Sequence, residues 1–395
     1  MAAIRGIEHV DVAGKKVICR VDFNVPLKDG KVVDDLRIKA ALPTIEYLLD
    51  HGARLILVSH LGRPAGTGYE EEYSLAPVAE HLSRLLGKPV AFATDTIGPN
   101  ARAKVDALED GQAVLLENVR FDKREKKNDP EFTRELASLG QVFVNDAFGT
   151  AHRAHCSTAG LADLLPSYAG FLMEREISTL KGMLDDPSHP FVAILGGSKV
   201  SDKIGVIDSL MDKADTLLIG GGMCFTFLKA RGYRIGTSLN EEDLMDTAKK
   251  LMAKAQDKGV RLLLPVDVVV ADRFSEDAHT ETVPVDAIPD TMMGLDIGPE
   301  TVKRYAHEIG QAATVFWNGP MGVFEMRPFE AGSRGVAQAM ADAPGKTIVG
   351  GGDSAAAAKQ FKLDKRMDFI STGGGASMEL VEGKVLPGVA PLMDE

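Results

Sequence analysis

The second half of the chain repeats one arrangement five times: a short apolar run stops at a glycine cluster and is followed by a segment able to be helical. The clusters are Ile194-Leu195-Gly196-Gly197, Leu218-Ile219-Gly220-Gly221-Gly222, Phe316-Trp317-Asn318-Gly319, Ile348-Val349-Gly350-Gly351-Gly352 and Ile370-Ser371-Thr372-Gly373-Gly374-Gly375. A continuous apolar run suits a parallel strand covered by helices on both faces. Glycine just past such a strand lets backbone N–H groups approach an anion where the following helix dipole also favours negative charge. One such cluster need only be a tight turn. Five at the carboxyl edge of one sheet, where open α/β sheets bind ligands, imply a nucleotide-sized phosphate site.

The first half winds in the same way. Strand-like runs Val17–Val21, Leu55–Ser59, Ala113–Glu117 and Val142–Asn145 alternate with helical patterns near 35–50, 74–86 and 129–138. A chain of 395 residues exceeds what one core fills, so two domains are expected. The junction falls at the helix-like stretch Glu174–Leu184, stopped by Asp185-Asp186-Pro187-Ser188-His189-Pro190. Winding restarts at Phe191–Leu195 and runs to Ile370–Thr372, with helical stretches near 241–257, 299–312 and 330–343. The expected fold class is α/β: two doubly wound, Rossmann-like parallel-sheet domains joined by a hinge helix, with ligands in the cleft.

A net charge of −12 argues against sequence-independent nucleic-acid binding and against anionic membrane surfaces, so any anion site must be local. Cys19, Cys156 and Cys224 are far apart and show no metal or disulfide spacing. A reducing compartment fits them. The first residues lack the apolar core of a signal peptide, and no apolar stretch reaches membrane-spanning length. A cytoplasmic monomer is the expectation.

The Walker pattern is absent, because Met340 stands where the first glycine before Gly345-Lys346-Thr347 belongs. Gly350-Gly351-Gly352-Asp353-Ser354-Ala355 fits a permissive dinucleotide pattern, but Ser371-Thr372-Gly373 replaces the acid expected after the next strand. A nicotinamide-dependent dehydrogenase is therefore the weaker alternative. Lys199 and Lys203 follow the first cluster four residues apart and on a helix would share a face toward phosphate. Asp353 could cap its helix or serve Mg²⁺, which takes one or two carboxylates beside phosphate oxygens and water. Glu325 is a candidate for ribose hydroxyls.

In the first half Arg20, Arg63 and Arg120 follow apolar runs, so a parallel sheet would gather them at one edge as a carboxylate or phosphate pocket. His152 and His155 lack a ligand set, and Arg153 between them would repel a cation. The run Lys123–Asp129 is mixed in sign and reads as a solvated loop.

With RVDFNVP at Arg20, SHLGRP at Ser59, ENVRF at Glu117, HRAH at His152, GGSKVSDK at Gly196, WNGPMGVFE at Trp317, GGGDS at Gly350 and STGGGAS at Ser371, the chain resembles the phosphoglycerate kinases over its whole length. The resemblance implies a 3-phosphoglycerate or 1,3-bisphosphoglycerate domain at 1–172 plus a returning tail at about 381–395, a linker helix at 173–188, and an ADP/ATP domain at 189–380. It implies substrate contacts from Arg20, Asp22, Phe23, Asn24, Arg37, His60, Leu61, Gly62, Arg63, Arg120 and Arg153. Nucleotide contacts would come from Lys199, Lys203, Gly221, Gly222, Gly294, Asn318, Pro320, Glu325, Gly350, Gly351, Gly352, Asp353 and Ser354, with Asp353 serving Mg²⁺. Arg37, Lys199, Gly352 and Gly375 would act on the transferred phosphoryl group, Gly373–Gly375 donating backbone N–H groups. Ser198 and Cys156 stand where alanine is more usual. A non-catalytic phospholigand-binding protein on this fold would be expected to have lost Arg37, Lys199 or Asp353, and all three are present.

Substrates held on different domains require closure before transfer. Small-angle scattering should show a smaller radius of gyration with 3-phosphoglycerate and Mg-nucleotide together than with neither; an unchanged radius would refute closure.

Overall fold

The computed structural model describes residues 4–394. They form two compact units, one running up to Ser178 and taking in the segment from Val385 onward, the other spanning Thr179–Lys384.

In the first unit the chain runs β1 (Lys16–Arg20), a hairpin of β2 (Leu27–Lys28) and β3 (Lys31–Val32), α1 (Leu36–Asp50), β4 (Arg54–Val58), α2 (Ala76–Leu86), β5 (Val90–Phe92), α3 (Pro99–Asp106), β6 (Ala113–Leu115), α4 (Pro130–Ala137), β7 (Val142–Asn145), α5 (Leu161–Leu164) and β8 (Ser167–Ala169). The main sheet has the order β5-β6-β4-β1-β7-β8, and its paired strands are parallel. Along β1, Val17 and Cys19 join one apolar cluster with Leu55, Leu57 and Val144, while Ile18 joins the other with Ile56, Val114 and Phe143. Both faces are core, which is why the strands read as unbroken apolar runs. The chain leaves β1 toward β4 and leaves β7 toward β8, so the winding reverses between β1 and β7. Such a reversal is where doubly wound sheets open a ligand crevice, and Arg20 is the residue that ends β1 there.

The carboxyl-terminal segment is stitched onto this unit. Asn145 Nδ2 donates to the Gly388 carbonyl (2.9 Å), the Gly388 N–H donates to Ala151 (2.8 Å), and the Arg5 N–H donates to Leu392 (2.8 Å).

In the second unit the elements are β9 (Phe191–Leu195), α7 (Ile204–Leu210), β10 (Thr216–Ile219), α8 (Met223–Ala230), α9 (Met245–Asp257), β11 (Arg261–Leu263), β12 (Asp267–Ala271), β13 (Thr280–Pro284), β14 (Met293–Ile297), α10 (Pro299–Gly310), β15 (Thr314–Asn318), α11 (Ala331–Asp342), β16 (Lys346–Gly350), α12 (Gly352–Gln360), β17 (Phe369–Ile370) and α13 (Gly374–Val381). The main sheet is parallel in the order β11-β10-β9-β15-β16-β17 and reverses between β9 and β15. Unbroken βα winding does not hold throughout: β12, β13 and β14 form a separate antiparallel sheet. The mostly exposed strand β13 has no apolar run to betray it.

The division between the units falls within α6 (Phe171–Asp185). Its first turn is held by Asp146, whose Oδ1 accepts from the Leu172 and Met173 N–H groups at 3.0 and 3.2 Å. A Cβ on Gly170 would stand 2.2 Å from that oxygen, so the approach requires glycine. Burial pushes the Asp146 carboxyl up to about 7, against the hydrogen bonds that lower it.

The folded protein therefore binds this proton more tightly than the unfolded chain, and ionising Asp146 costs stability progressively as pH rises from about 4 to about 7. Asp146→Asn removes that contribution. Denaturation midpoints measured from pH 4.5 to 8 should show the variant gaining on the parent as pH rises, on the order of a few kcal/mol, levelling above pH 7. A parent–variant difference independent of pH would contradict the assignment.

Candidate active site

Arg20 is fully buried at the winding reversal of the first sheet. Its Nε donates to Ser157 Oγ at 2.8 Å, one Nη donates to the Val21 carbonyl, and the other lies 3.0 Å from His60 Nδ1. A guanidinium can only donate, so His60 Nδ1 accepts, and the ring proton sits on Nε2. Burial, then the charges of Arg20, Arg120, Arg37 and Arg153, hold His60 well below its usual range. The ring is a neutral N–H donor at physiological pH.

Arg120 is 5% exposed, and its Nη1 donates to the Gly62 carbonyl at 2.8 Å. Its Nε and Nη2 are buried with no hydrogen-bond partner. Burial, with Arg20 and Arg153 adding to it, lowers even this guanidinium to about 10. Asn118 sets the surrounding loops: its Oδ1 accepts from the Arg120 N–H (3.0 Å), and its Nδ2 donates to the carbonyls of Leu61 (2.7 Å) and Tyr73 (3.0 Å). Gly62 has φ +62°, and a Cβ there would lie 2.3 Å from the Tyr73 ring. Asn24 Oδ1 accepts from the Gly62 N–H at 2.8 Å. The Phe23 side chain is core, and its N–H donates to Ser59 Oγ at 2.9 Å.

Half-buried Arg37 holds Asp22 through Nη1 at 3.2 and 3.3 Å and donates to the Asn24 carbonyl at 3.2 Å. Arg153 is exposed with its Nε 3.2 Å from His152 Nε2. Arg63 is exposed and lies outside the set whose charge depresses His60. Thus Arg20, Arg37, Arg120 and Arg153 converge on His60, with Asp22, Asn24, Leu61 and Gly62 in their hydrogen-bond framework. Sequence reasoning missed the buried Ser59, Asn118, Ser157 and Glu125. The run Lys123–Asp129 is not simply a solvated loop, because Glu125 at its centre is fully buried.

In the second unit the glycine clusters divide into two kinds. The N–H groups of Gly196, Gly197 and Gly221 donate to the carbonyls of Asn318 (2.9 Å), Pro320 (3.0 Å) and Met321 (3.0 Å), and Gly319 donates to Ser354 Oγ (2.6 Å). A Cβ on Gly196 would meet the Pro320 oxygen at 2.1 Å, and one on Gly319 the Gly196 oxygen at 2.2 Å. These turns lock backbone against backbone, so their N–H groups are already used. Gly222 and Gly294 are likewise close-packed: a Cβ would come within 3.2 Å of the Ser198 oxygen and 1.9 Å of the Phe225 ring respectively.

The last two clusters open only where their helices begin: a Cβ on Gly350 would stand 2.8 Å from the Phe316 ring and one on Gly351 2.5 Å from Asn318 Nδ2, and the Gly373 N–H, expected to serve phosphate, already donates to Ser371 Oγ at 3.2 Å. Gly352 begins α12 with no side-chain cap, and a Cβ on it would meet nothing within 4 Å. Gly374 begins α13 without a side-chain cap, and its Cβ position is 3.5 Å from the Gly352 nitrogen, so two helix amino ends stand side by side. Gly375 follows in the first turn of α13. Paired ends of this kind present unsatisfied N–H groups and positive dipoles to an anion.

Asn318 Nδ2 donates to the Gly350 carbonyl at 2.7 Å, which turns its Oδ1 to accept from Lys203 Nζ. Burial lowers the Lys203 pKa, opposed by Asp202, Asp353 and Glu382. The two lysines do not share a helix face. Helix α7 starts only at Ile204, with Lys203 as its cap position and Lys199 exposed in the preceding loop. Nor does Asp353 cap α12: Gly351, at φ +92°, holds that position, and Asp353 lies exposed in the first turn. Glu325 is exposed, and Pro320 serves this framework through its carbonyl.

A phosphoglycerate kinase family profile matches residues 7–384. The phosphoglycerate kinase of Synechococcus elongatus is 58% identical over 396 residues, covering 99% of this chain and 98% of that one. That of Chloroflexus aurantiacus is 57% identical over 394 residues, covering 98% of each. The solved phosphoglycerate kinase of Coxiella burnetii superposes with a TM-score of 0.91 at 46% identity, and that of Pyrococcus horikoshii with 0.84 at 33%, each over 98% of both chains.

A buried cation with two unpartnered nitrogens costs stability that a bound anion would restore. Arg120→Met should therefore raise the melting temperature of the ligand-free protein while weakening 3-phosphoglycerate binding by calorimetry roughly 10- to 100-fold. Lower stability with unchanged affinity would reverse the assignment.

Proposed function

The chain belongs to the phosphoglycerate kinase family, and from that premise we propose how its residues carry out reversible phosphoryl transfer between 1,3-bisphosphoglycerate and Mg-ADP, giving 3-phosphoglycerate and Mg-ATP. It is a phosphotransferase with a carboxyl group as acceptor. The observation that carries the assignment of residues is Arg120: a buried guanidinium with two free nitrogens, among three further arginines and a neutral histidine, is completed by a small polyanion.

In this reading Arg20, Arg63, Arg120 and Arg153 neutralise the glycerate phosphate and carboxylate, and His60 donates from Nε2. Asp22 and Asn24 face the hydroxyl and carboxylate region, and Arg37 reaches the transferred phosphoryl group. The paired amino ends of α12 and α13, with Lys199 and Lys203, hold the nucleotide phosphates, and Glu325 meets the ribose.

The donor set fits Mg²⁺ carried in with the nucleotide. Asp353 offers one exposed carboxylate beside the Gly350–Gly352 turn, and among the described residues no cluster of three or more His, Cys, Asp or Glu could hold an ion alone. Bound there, the ion would neutralise phosphate charge. The acceptor carboxylate is ionised near neutral pH, so no general base is required. The protein's own work is alignment and charge neutralisation in a loose phosphoryl transition state.

We read the enzyme as a cytoplasmic monomer. All three cysteines are free and buried, and among the described residues no helix is long and apolar enough to cross a membrane. A nicotinamide dehydrogenase is not favoured, because Ser371 follows β17 where that chemistry expects an acid.

A coupled assay with 3-phosphoglycerate and Mg-ATP tests the roles. Arg37→Ala and Lys199→Ala should each lower kcat roughly 100- to 1000-fold, the scale of one lost electrostatic stabiliser. Lys254→Ala, on an exposed pair with Asp208, should leave it unchanged. Full activity in Arg37→Ala or Lys199→Ala would remove that residue from the transfer step.

A further inference from the structure

Glu125 sits in a run whose neighbours are charged and solvated, yet it is fully buried. One carboxylate oxygen accepts from the Ser157 N–H at 3.0 Å and the other from the Ser157 hydroxyl. Since the hydroxyl proton is committed to Glu125, Ser157 Oγ presents only lone pairs to its other neighbour. That neighbour is Arg20 Nε, 2.8 Å away. The remaining Arg20 contacts, to the Val21 carbonyl and His60 Nδ1, leave one N–H on each Nη uncommitted. A guanidinium held at all three nitrogens has its plane fixed, so the two uncommitted N–H groups have fixed directions. Glu125 is also the foremost carboxylate acting on both Arg20 and Arg120, ahead of Asp22.

We propose that Glu125 is a positioning residue of the glycerate site: through Ser157 it orients Arg20, so that the anion meets a preset guanidinium and not a mobile one. Its other close neighbour is the His155 ring, with Nδ1 at 4.0 Å. The proposal rests on the reading that the first unit binds phosphoglycerate.

Ser157→Ala keeps the buried charge and removes the relay, whereas Glu125→Gln keeps the shape and removes the charge that compels Ser157 to accept. In the full-length enzyme each should raise KM for 3-phosphoglycerate roughly tenfold, the scale of a hydrogen bond to a charged group, with KM for ATP within about twofold of the parent. The double variant should be no worse than the weaker-binding single one, because both changes interrupt one relay. Nitrogen-15 NMR should show the Arg20 Nε–H protected from solvent exchange in the parent and exchanging rapidly in Ser157→Ala.

Additive effects, an equal rise in both KM values, a lowered KM in Glu125→Gln, or a Ser157→Ala enzyme within twofold of the parent would each overturn the proposal. Should Glu125→Gln fail to fold, Ser157→Ala and the Arg20 signal decide the matter alone. If the parent transferred no phosphoryl group to 3-phosphoglycerate, the functional reading would fall, while exchange at Arg20 would still report on the relay.

Discussion

A guanidinium cannot give up its proton to escape burial, and placing Arg20 and Arg120 inside one strand-end pocket is the constraint around which the first unit is arranged. Ordinary buried polar groups are satisfied inside the protein. Here the backbone turns the carbonyls of Val21 and Gly62 inward as acceptors, His60 is kept neutral with its lone pair toward Arg20, and Glu125 is buried as counter-charge. Even so, two Arg120 nitrogens remain unpaired. Buried charge whose hydrogen bonds are only partly met costs several kcal/mol, which strands with core on both faces can offset. Those unpaired nitrogens are the feature on which the proposed binding of an anion in the first unit rests.

The second unit assembles positive potential with little buried charge. Its nearest counterpart, Lys203, is only half-buried and leans on Asn318, which is itself tied to Gly350. The positive potential comes instead from the amino ends of α12 and α13, which stand side by side with the Cβ position of Gly374 3.5 Å from the Gly352 nitrogen. The Gly196, Gly221 and Gly319 turns make this possible at one remove: by packing backbone on backbone across the winding reversal, they fix the floor against which Asn318 and Ser354 are set.

The parallel winding and the strand-end positions of the arginines and glycines were legible because both depend on local pattern: apolar runs of strand length, stopped by glycine or charge. What the glycines do was only half legible. A glycine that packs against a carbonyl and one that begins a helix in open space look alike in sequence, so Gly196 and Gly352 could not be told apart. Lys199 and Lys203 were paired on an assumed helix that starts only after them, and Asp353 was offered as a cap that Gly351 supplies. The antiparallel strands β12–β14 and the burial of Glu125 were invisible for a related reason. An exposed strand has no apolar signature, and a carboxylate amid lysines gives no sign that a serine from another segment encloses it.

The two units therefore arrange positive charge with different chemistry, and the proposed assignment of glycerate to the first and nucleotide to the second accounts for the division. In the proposed reading glycerate is distinguished from other small phosphates by side chains with fixed forks and directions, each held by a neighbour as Arg37 is by Asp22 and Arg20 by Ser157. A phosphoryl chain has the same oxygens whatever it is attached to, so helix ends and small turns suffice, and they need no reorganisation as charge shifts along it. Neither side needs a group that titrates near neutrality, because the acceptor is already ionised. His60 is consistent with this: lodged among four arginines, it would be a poor base if it had to gain a proton, and its neutral ring keeps a proton on Nε2.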